Sequence, residues 1–314
     1  MLLYGLNFLV FVGIFGIVAL SLNLEFGFAG LANFGKVAFF LVGAYTYAVL
    51  SQIGVPFYLC LIAGALTSAI FGLLISLPAL RLRADYLAIA ILAFGEILRL
   101  IVQAERWIAG GIWGINVSPI FPWMGSSLVY RLENVGLVFI CLLICFLVAQ
   151  LLANSPYGRV MRAIREDEVA AEALGKDRAK YKAQVLMIGS AMAGVAGGLY
   201  AQYLSYIEPV TMFLPTVTFT VWMMVILGGP ANNWGALLGA GLVELFDKGA
   251  NIIATKYPNL PVDPGNLQYI LFGALIILVL LYRPGGLLKE SPIKTKALQL
   301  ARYGKGVVNN KPGK

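Results

Sequence analysis

Long apolar runs, separated by short polar or glycine-rich segments, make up most of the chain. The runs lie at 2–22, 37–53, 57–79, 86–103, 135–153, 183–205, 215–228, 235–250 and 266–283. Most reach the roughly 18 to 20 apolar residues that a helix needs to cross a bilayer. They lack the alternation of a barrel strand, and only a helix satisfies its own backbone in lipid. The pattern predicts an all-α polytopic membrane protein with about nine transmembrane helices (about eight to ten), some broken at glycine.

Composition and charge support this class. Apolar residues form 60% of the 314 positions and charged residues 12%, unlike a soluble domain. The basic residues gather around Arg81 and Arg83, within 159–182, and in 283–314. Because cytoplasmic loops carry excess Lys and Arg, we predict that these segments and Lys36 are cytoplasmic, with the N-terminus outside and the C-terminus inside. No basic face with interleaved aromatic residues is present, which excludes a nucleic-acid partner.

Residues for catalysis or metal binding are missing from the sequence. There is no histidine, and Cys60, Cys141 and Cys145 lie in apolar runs without a CxxC spacing. Structural zinc and histidine acid–base chemistry are therefore excluded, and the cysteines are interpreted as small buried residues. We expect no catalytic residue, no metal site and no cofactor bound by this chain.

One charged segment between the apolar runs predicts a helix. Residues 155–182 read SPYGRVMRAIREDEVAAEALGKDRAKYK. Alanine-rich residues 157–174 favour a single helix, with Pro156 at its start and Gly175 where a C-terminal glycine would end it. Ile164, Ala171 and Leu174 are expected on one side and Arg165, Glu168 and Glu172 on another. Such a short amphipathic helix is suited to docking in a partner's groove.

Two glycine-rich interruptions resemble each other and are candidates for a translocation path. The segment GLANFG at 30–35, followed by Gly43-Ala44, resembles GPANNWG at 229–235, followed by Gly239-Ala240. Paired breaks in the two halves of a transporter often mark the path, although they are also typical of simple loops beside closely packed helices. On the first interpretation the lining residues are Asn33, Gly35, Gly43, Gly229, Asn232 and Asn233.

Charged residues within apolar runs are the remaining candidates. Glu96 and Arg99 lie three residues apart on one predicted helix, and Glu25 and Lys36 flank the first break. Charges inside a membrane are costly and mark functional positions by default. Each pair could either neutralise itself and join neighbouring helices or line the path, and the sequence leaves both interpretations open.

Several segments together resemble a known family. The stretch VAAEALG at 169–175 resembles the coupling loop of ATP-binding-cassette importer permeases, with Val169 at the common glutamate position. The stretches at 30–50, 80–100, 109–111 and 222–240, and YRPGGL at 282–287, resemble the LivM-like branched-chain amino acid permeases in the same order. This chain has Lys36 where His is common in that family and Ala109 where Thr is usual. The resemblance covers about residues 15 to 288.

This resemblance implies a subunit of an importer in the prokaryotic inner membrane. It implies a single transmembrane permease domain at 1–288, with a coupling loop at 155–182, and a basic cytoplasmic tail at 289–314. Expected partners are two ATPase subunits that bind ATP, a second homologous permease, an extracellular or periplasmic solute-binding protein and the lipid bilayer. The chain lacks a GxxxxGK[ST] loop and so would hold no nucleotide itself. The coupling residues implied are Arg162, Ile164, Arg165, Glu168, Ala170, Ala171, Glu172 and Gly175.

The substrate implied is a branched-chain or other neutral amino acid, with urea or a short amide as the alternative within the family. A different class, an ion-coupled secondary transporter, would use Glu96 and Arg99 as a relay. The long charged segment at 157–174 has no role in such a carrier, so it favours the importer.

Overall fold

The computed structural model describes residues 2–79, 84–106, 110–118, 127–256, 273–274, 277–279, 281–283 and 285–290. Its longer helices are α1 (Leu2–Leu22), α2 (Lys36–Gln52), α3 (Phe57–Ala79), α4 (Ala84–Ala104), α5 (Ser127–Asn154), α8 (Arg178–Leu204), α9 (Pro215–Gly228) and α10 (Asn233–Lys256). Between α5 and α8 lie the shorter helices α6 (Pro156–Glu166) and α7 (Glu168–Ala173). A π-helix at Asn23–Phe28 continues α1, and a 3-10 turn covers Gly111–Trp113. Strands β1 (Ile115–Asn116) and β2 (Tyr206–Ile207) form a short antiparallel pair.

The predicted apolar runs coincide with helices wherever the structure describes them. Among the described residues, five helices are long and apolar enough to cross a membrane, and α9 is a shorter apolar helix. The count of nine is therefore not confirmed, and the run at 266–283 lies mostly outside the described residues, as do Arg81, Arg83, Ala109 and positions 291–314. Helix α5 begins eight positions earlier than its predicted run, because polar residues Arg131, Glu133 and Asn134 extend its first turns.

Helices α2, α3 and α8 form the centre of the fold and pack closely through small residues. A Cβ atom added at Gly43 of α2 would lie 2.2 Å from the carbonyl oxygen of Gly194 in α8. Ser68 of α3 donates a hydrogen bond to the carbonyl oxygen of Phe39 in α2 at 2.9 Å. Small residues allow membrane helices to approach this closely, because dispersion contacts rather than water exclusion hold them together in lipid.

Both glycine-rich interruptions are real breaks between helices. After the π-helix, the chain turns at Gly30, whose φ of 69° is in the left-handed region, and α2 begins at Lys36. After α9, Gly229 has a φ of 116° and Ala231 a φ of 60°, and α10 begins at Asn233. Glycine is favoured at the first residue of each turn because a side chain is strained at such angles.

The predicted helix at 157–174 is wrong in one respect, because it is two helices. Asp167 adopts an extended conformation between α6 and α7, and its carboxylate accepts hydrogen bonds from the backbone of Val169 and Ala170. Aspartate competes well for such backbone donors, so it begins a new helix here rather than continuing the old one. The predicted ends are confirmed: Pro156 is the first residue of α6, and Gly175, with a φ of 75°, follows α7.

Candidate functional site

A fully buried ion pair lies across the first break. The ammonium nitrogen of Lys36 is 2.7 Å from Oε1 of Glu25, and both side chains are completely buried. Asn33 donates to Oε2 of Glu25 at 2.9 Å and accepts a hydrogen bond from the backbone of Gly35 at 3.1 Å. A lysine at the first residue of a helix faces the positive end of the helix dipole, so Glu25 is the charge that stabilises it there.

This ion pair changes the interpretation of two predicted residues. The expected pairing of Glu25 with Lys36 is confirmed, and Asn33 belongs to the same cluster. The side chain of Lys36 is buried within the protein, and its placement at the cytoplasmic side stays a prediction. The burial of this lysine is explained by its ion pair with the carboxylate inside the break. Lys36 therefore cannot be used to assign the orientation of the chain in the membrane.

Asn23 joins the two breaks. Its side-chain oxygen accepts a hydrogen bond from the backbone of Ala231 at 2.9 Å, and its nitrogen donates to Asn233 at 3.0 Å. Asn233 in turn donates to Gln150 of α5 at 2.9 Å. Polar side chains that are buried among membrane helices are stable only when they satisfy one another, so this chain of amides holds both breaks and α5 in one arrangement.

Aromatic stacking and a hydrogen bond between α9 and the first turn of α2 complete the contact between the breaks. Trp222 of α9 stacks on Phe34 with ring centroids 4.5 Å apart, and its indole donates to the carbonyl oxygen of Asn33 at 3.1 Å. The hydroxyl of Thr218 accepts from the backbone of Val37 at 3.0 Å. The first amides of a helix have no partner within the helix, so α9 supplies the partner that α2 lacks. We call the residues 23–35 and 229–235 with these contacts the joined breaks.

The segment that contains α6 and α7 contacts the joined breaks directly. Arg165 of α6 donates to the carbonyl oxygen of Gly27, and a Cβ atom added at Gly30 would lie 3.0 Å from Cγ of Arg165. Arg165 and Arg162 also contact Glu290, which follows the last described helical residues. Burial lowers the pKa of Arg162, and the carboxylate of Glu290 opposes that shift. The loop between α5 and α8 is thus attached to the first break.

Helix α7 is held by ion pairs and presents apolar side chains outward. Glu168 contacts Arg178 at 3.0 Å and also Lys182, and Glu172 contacts Arg178 at 2.7 Å. Burial raises the pKa of Glu168, but the hydrogen bonds and charges of Lys182 and Arg178 outweigh it, so the pKa lies below its usual value. The side chain remains charged at neutral pH and anchors α7 to the start of α8.

The apolar faces of α6 and α7 differ from the predicted one. Ile164 and Ala171 are buried, as expected, whereas Leu174 is 80% exposed and Val169 74% exposed. The break at Asp167 turns α7 relative to α6, so the three residues do not share one face. Ala170, Glu172 and Gly175 are also exposed. Val169 in α7 and Leu174 directly after it are thus two exposed apolar side chains on a segment that ion pairs fix to α8.

The structure brings some of the predicted path residues together and separates others. Asn33, Gly35, Gly229, Asn232 and Asn233 belong to the joined breaks; Asn232 donates to the carbonyl oxygen of Lys289 at 2.9 Å. Gly43 lies at the crossing of α2 and α8. Arg99 donates to Glu96 at 3.0 Å and to the carbonyl oxygen of Pro209 at 3.2 Å, so that pair joins α4 to the segment after β2.

Sequence reasoning missed Asn23, Gln150, Thr218, Trp222 and Glu290. Asn23 and Gln150 carried a usable signal, because a lone amide in an apolar run needs a partner when buried in lipid. Thr218 and Trp222 gave no such signal in the sequence, since threonine and tryptophan are both common in membrane helices. Glu290 lies at the start of what composition marks as a polar tail, and its contacts with α6 are visible only in three dimensions.

Long apolar helices, two helix breaks joined by buried polar groups and a charged loop attached to them are typical of a multi-pass membrane transporter. The family described as the permease component of branched-chain amino acid transport systems matches residues 4–280. A probable branched-chain amino acid transport permease LivM of Methanocaldococcus jannaschii is 35% identical over 93% of this chain and 95% of its own length.

Two further relatives extend the comparison. A high-affinity branched-chain amino acid permease LivM of Salmonella typhimurium is 32% identical over 88% of this chain and 68% of its own length. A probable LivH permease of Methanocaldococcus jannaschii is 28% identical over 86% of this chain and 87% of its own length. No solved structure matches the chain. The chain belongs to the family of branched-chain amino acid transport permeases.

Proposed function

We propose that this chain is the permease subunit of an ATP-binding-cassette importer that moves branched-chain or other neutral amino acids across the prokaryotic plasma membrane. It would act with a second, homologous permease, two ATPase subunits that bind and hydrolyse ATP, and a solute-binding protein outside. Similarity to both LivM and LivH proteins supports two related permeases in one system. The chain itself would hold no nucleotide.

The observation that carries this proposal is the exposed pair Val169 and Leu174. Val169 is 74% exposed and Leu174 is 80% exposed on a charged loop, which makes both side chains available for contact with a partner protein. Ion pairs from Glu168 and Glu172 to the start of α8 hold the helix that presents them. A short segment that is already ordered and exposes apolar side chains can dock in a groove on a partner protein, and in an importer that partner would be the ATPase.

The contacts of the loop support its placement in the cytoplasm together with the C-terminal segment. Glu290 contacts Arg162 and Arg165, so residue 290 and the loop lie at the same end of the molecule. The loop carries many of the basic residues of the chain, which favours the cytoplasmic side. A docking surface for ATPases at this end is consistent with both features.

The first experiment is a mild-detergent pull-down of the tagged chain from cells that express its neighbouring genes, followed by mass spectrometry and an ATPase assay. We expect a Walker-motif ATPase and a second permease in the eluate. Recovery of the chain alone, stable and without ATPase activity, would contradict the proposal and favour an ion-coupled carrier.

A mutation in the exposed apolar pair tests the docking surface itself. In the double variant Val169→Asp/Leu174→Asp, two carboxylates replace apolar contacts, and we expect the co-purified ATPase to fall by about tenfold or more, since each buried apolar side chain contributes roughly 1.5–3 kcal/mol. Glu166→Gln on the same loop is the control, because Glu166 is 72% exposed. Equal ATPase recovery with both variants would exclude this surface.

The substrate is tested through the binding protein rather than this chain. We expect the solute-binding protein of the system to bind leucine, isoleucine or valine, and transport in vesicles to follow the same order. If the binding protein binds urea or a short amide instead, the chain is still proposed as an importer permease, and only the proposed substrate changes.

A further inference from the structure

The chain segment at 285–290 is attached to the second break. The backbone amides of Leu287 and Leu288 donate to the carbonyl oxygens of Leu227 and Gly228 at 3.0 Å and 2.9 Å. These carbonyls end α9 and have no partner within that helix, so the segment supplies one. A Cβ atom at Gly229 would lie 2.2 Å from the carbonyl oxygen of Leu288, which shows how closely the backbones approach. We call 285–290 the C-terminal strap.

The strap ends in Glu290, whose two carboxylate oxygens both contact arginines of α6. Oε1 is 3.1 Å from Nε of Arg162, and Oε2 is 2.9 Å from a terminal nitrogen of Arg165. The three side chains are 31%, 12% and 23% exposed, so these contacts are partly shielded from solvent. Shielding makes such pairs stronger and more specific in geometry than exposed ion pairs.

The other terminal nitrogen of Arg165 forms a hydrogen bond with the first break. That nitrogen donates to the carbonyl oxygen of Gly27 at the end of the π-helix, and the turn at Gly30 lies against the side chain. Arg162 places its guanidinium carbon 5.0 Å from the ring centroid of Phe28. Only a planar guanidinium presents two donors in this fixed, divergent arrangement, and a lysine ammonium does not.

From these contacts we propose that Arg162, Arg165 and Glu290 form a latch that transmits movement of the α6–α7 loop to both helix breaks at once. Arg165 connects the loop to the first break, and Glu290 connects it through the C-terminal strap to the second. The inference rests on the proposed function, in which ATPase subunits move this loop. These side chains are positioning residues: they act through the breaks and touch neither ATP nor substrate.

The latch explains why both breaks would respond together. The loop is attached at two places, because Glu168 and Glu172 join α7 to α8 and the arginines join α6 to the breaks. The breaks are already joined to each other by Asn23 and Asn233. A displacement of the loop would therefore move the end of the π-helix and the end of α9 together. The helices that flank the two breaks would move with them.

Glu290→Gln and Arg165→Lys test the latch in the complete transporter, reconstituted with its partner subunits. We expect the stimulation of ATPase activity by loaded binding protein to fall by about fivefold or more, with transport falling equally, because the loop then moves without the breaks. Glu166→Gln is the matched control, since it removes the exposed carboxylate on the same guanidinium at 2.8 Å and leaves the strap attached. We expect its stimulation to stay within about twofold.

A charge exchange separates coupling from general damage. In Arg162→Glu/Glu290→Arg the attraction between positions 162 and 290 is restored with opposite polarity, whereas Arg165 keeps its bond to Gly27 but lies beside the new arginine. We expect the exchange to recover part of the stimulation that Glu290→Arg alone loses, because the new glutamate compensates the charge at position 290. If Glu290→Gln and Glu166→Gln behave alike, or if the exchange is no better than Glu290→Arg, the latch is wrong.

A cross-link tests the contact without any partner subunit. In the membrane-inserted chain carrying Cys141→Ala, the pair Arg162→Cys/Glu290→Cys should be cross-linked by a short bifunctional thiol reagent, while Glu290→Cys alone should not, since the natural Cys60 and Cys145 are buried and only Cys141 is partly exposed. A pair that fails to cross-link in the inserted chain overturns the latch. Failure of the wild-type chain to capture an ATPase overturns the proposed function instead, so the two results are distinguishable.

Discussion

Glu25 and Lys36 are the residues on which the first break depends most. Each is fully buried, and each removes the cost of burying the other. Losing one partner of such a pair is far more damaging than losing both, because the remaining charge has no compensation. Asn33 adds a hydrogen bond to the carboxylate and fixes its orientation toward the lysine.

We therefore expect Lys36→Met to lower the free energy of unfolding by about 3–5 kcal/mol, while the double variant Glu25→Gln/Lys36→Met recovers most of that loss. Unfolding of the detergent-solubilised protein, followed by circular dichroism, measures both. Glu96→Gln serves as the comparison, since Glu96 is 36% exposed in its pair with Arg99 and should cost no more than about 1 kcal/mol. A double variant as unstable as Lys36→Met would refute the compensation.

At the scale of the helices, close packing of small residues decides how α2, α3 and α8 fit together. Gly43, predicted to line the path, lies where the backbones of α2 and α8 nearly touch. This placement explains the close spacing of the two helices by geometry alone and leaves the role of Gly43 in the path as a prediction. Tight crossings of this kind tolerate almost no added volume.

Gly43→Ala should accordingly destabilise the protein by about 1–3 kcal/mol, because the new methyl group would lie 2.2 Å from a carbonyl oxygen and the helices must separate. Gly136→Ala is the control: a Cβ there has nothing within 4 Å, and alanine favours a helix by up to about 1 kcal/mol. The same unfolding measurement compares them. Equal effects of the two substitutions would mean that the crossing is looser than described.

At the scale of the whole molecule, the α6–α7 loop, the C-terminal strap and both breaks occupy one end of the bundle. The ion pairs between Glu290 and α6 require this arrangement. The paired strands β1 and β2 bring residues 115–116 against 206–207, which follow α4 and α8 respectively. Because α8 leads from the loop to β2, the strand pair lies at the opposite end of that helix.

This arrangement predicts the accessibility of single cysteines in intact cells. Lys176→Cys should be protected from a membrane-impermeant thiol reagent, and a tag after Lys314 should be protected from external protease. Ile112→Cys, an exposed position beside β1, should react from outside. The physical reason is that α8, which joins the loop to the strands, is long and apolar enough to cross a bilayer. Labelling of position 176 from outside would reverse the orientation.

The sequence by itself determined the class of protein, the positions of most helices and the family. Apolar runs long enough for a bilayer permit only one kind of secondary structure, since lipid offers no partner for an unpaired amide. The ends of the α6–α7 loop could also be predicted from the sequence, because proline and glycine act locally at Pro156 and Gly175. The cost of lone charges in apolar surroundings made the pairing of Glu25 with Lys36 one of two open interpretations, and the structure shows the pair.

Only the tertiary structure decided which residues meet across the fold. Asn23 and Asn233 are far apart in sequence, and Glu290 and Arg165 equally so, and nothing local to either partner specifies the other. The turn of α7 away from α6 depended on Asp167 accepting two backbone hydrogen bonds, which competes with a continuous helix by a small margin of free energy. Local propensity is decided within a few residues, whereas joining two breaks requires that the helices between them are already packed.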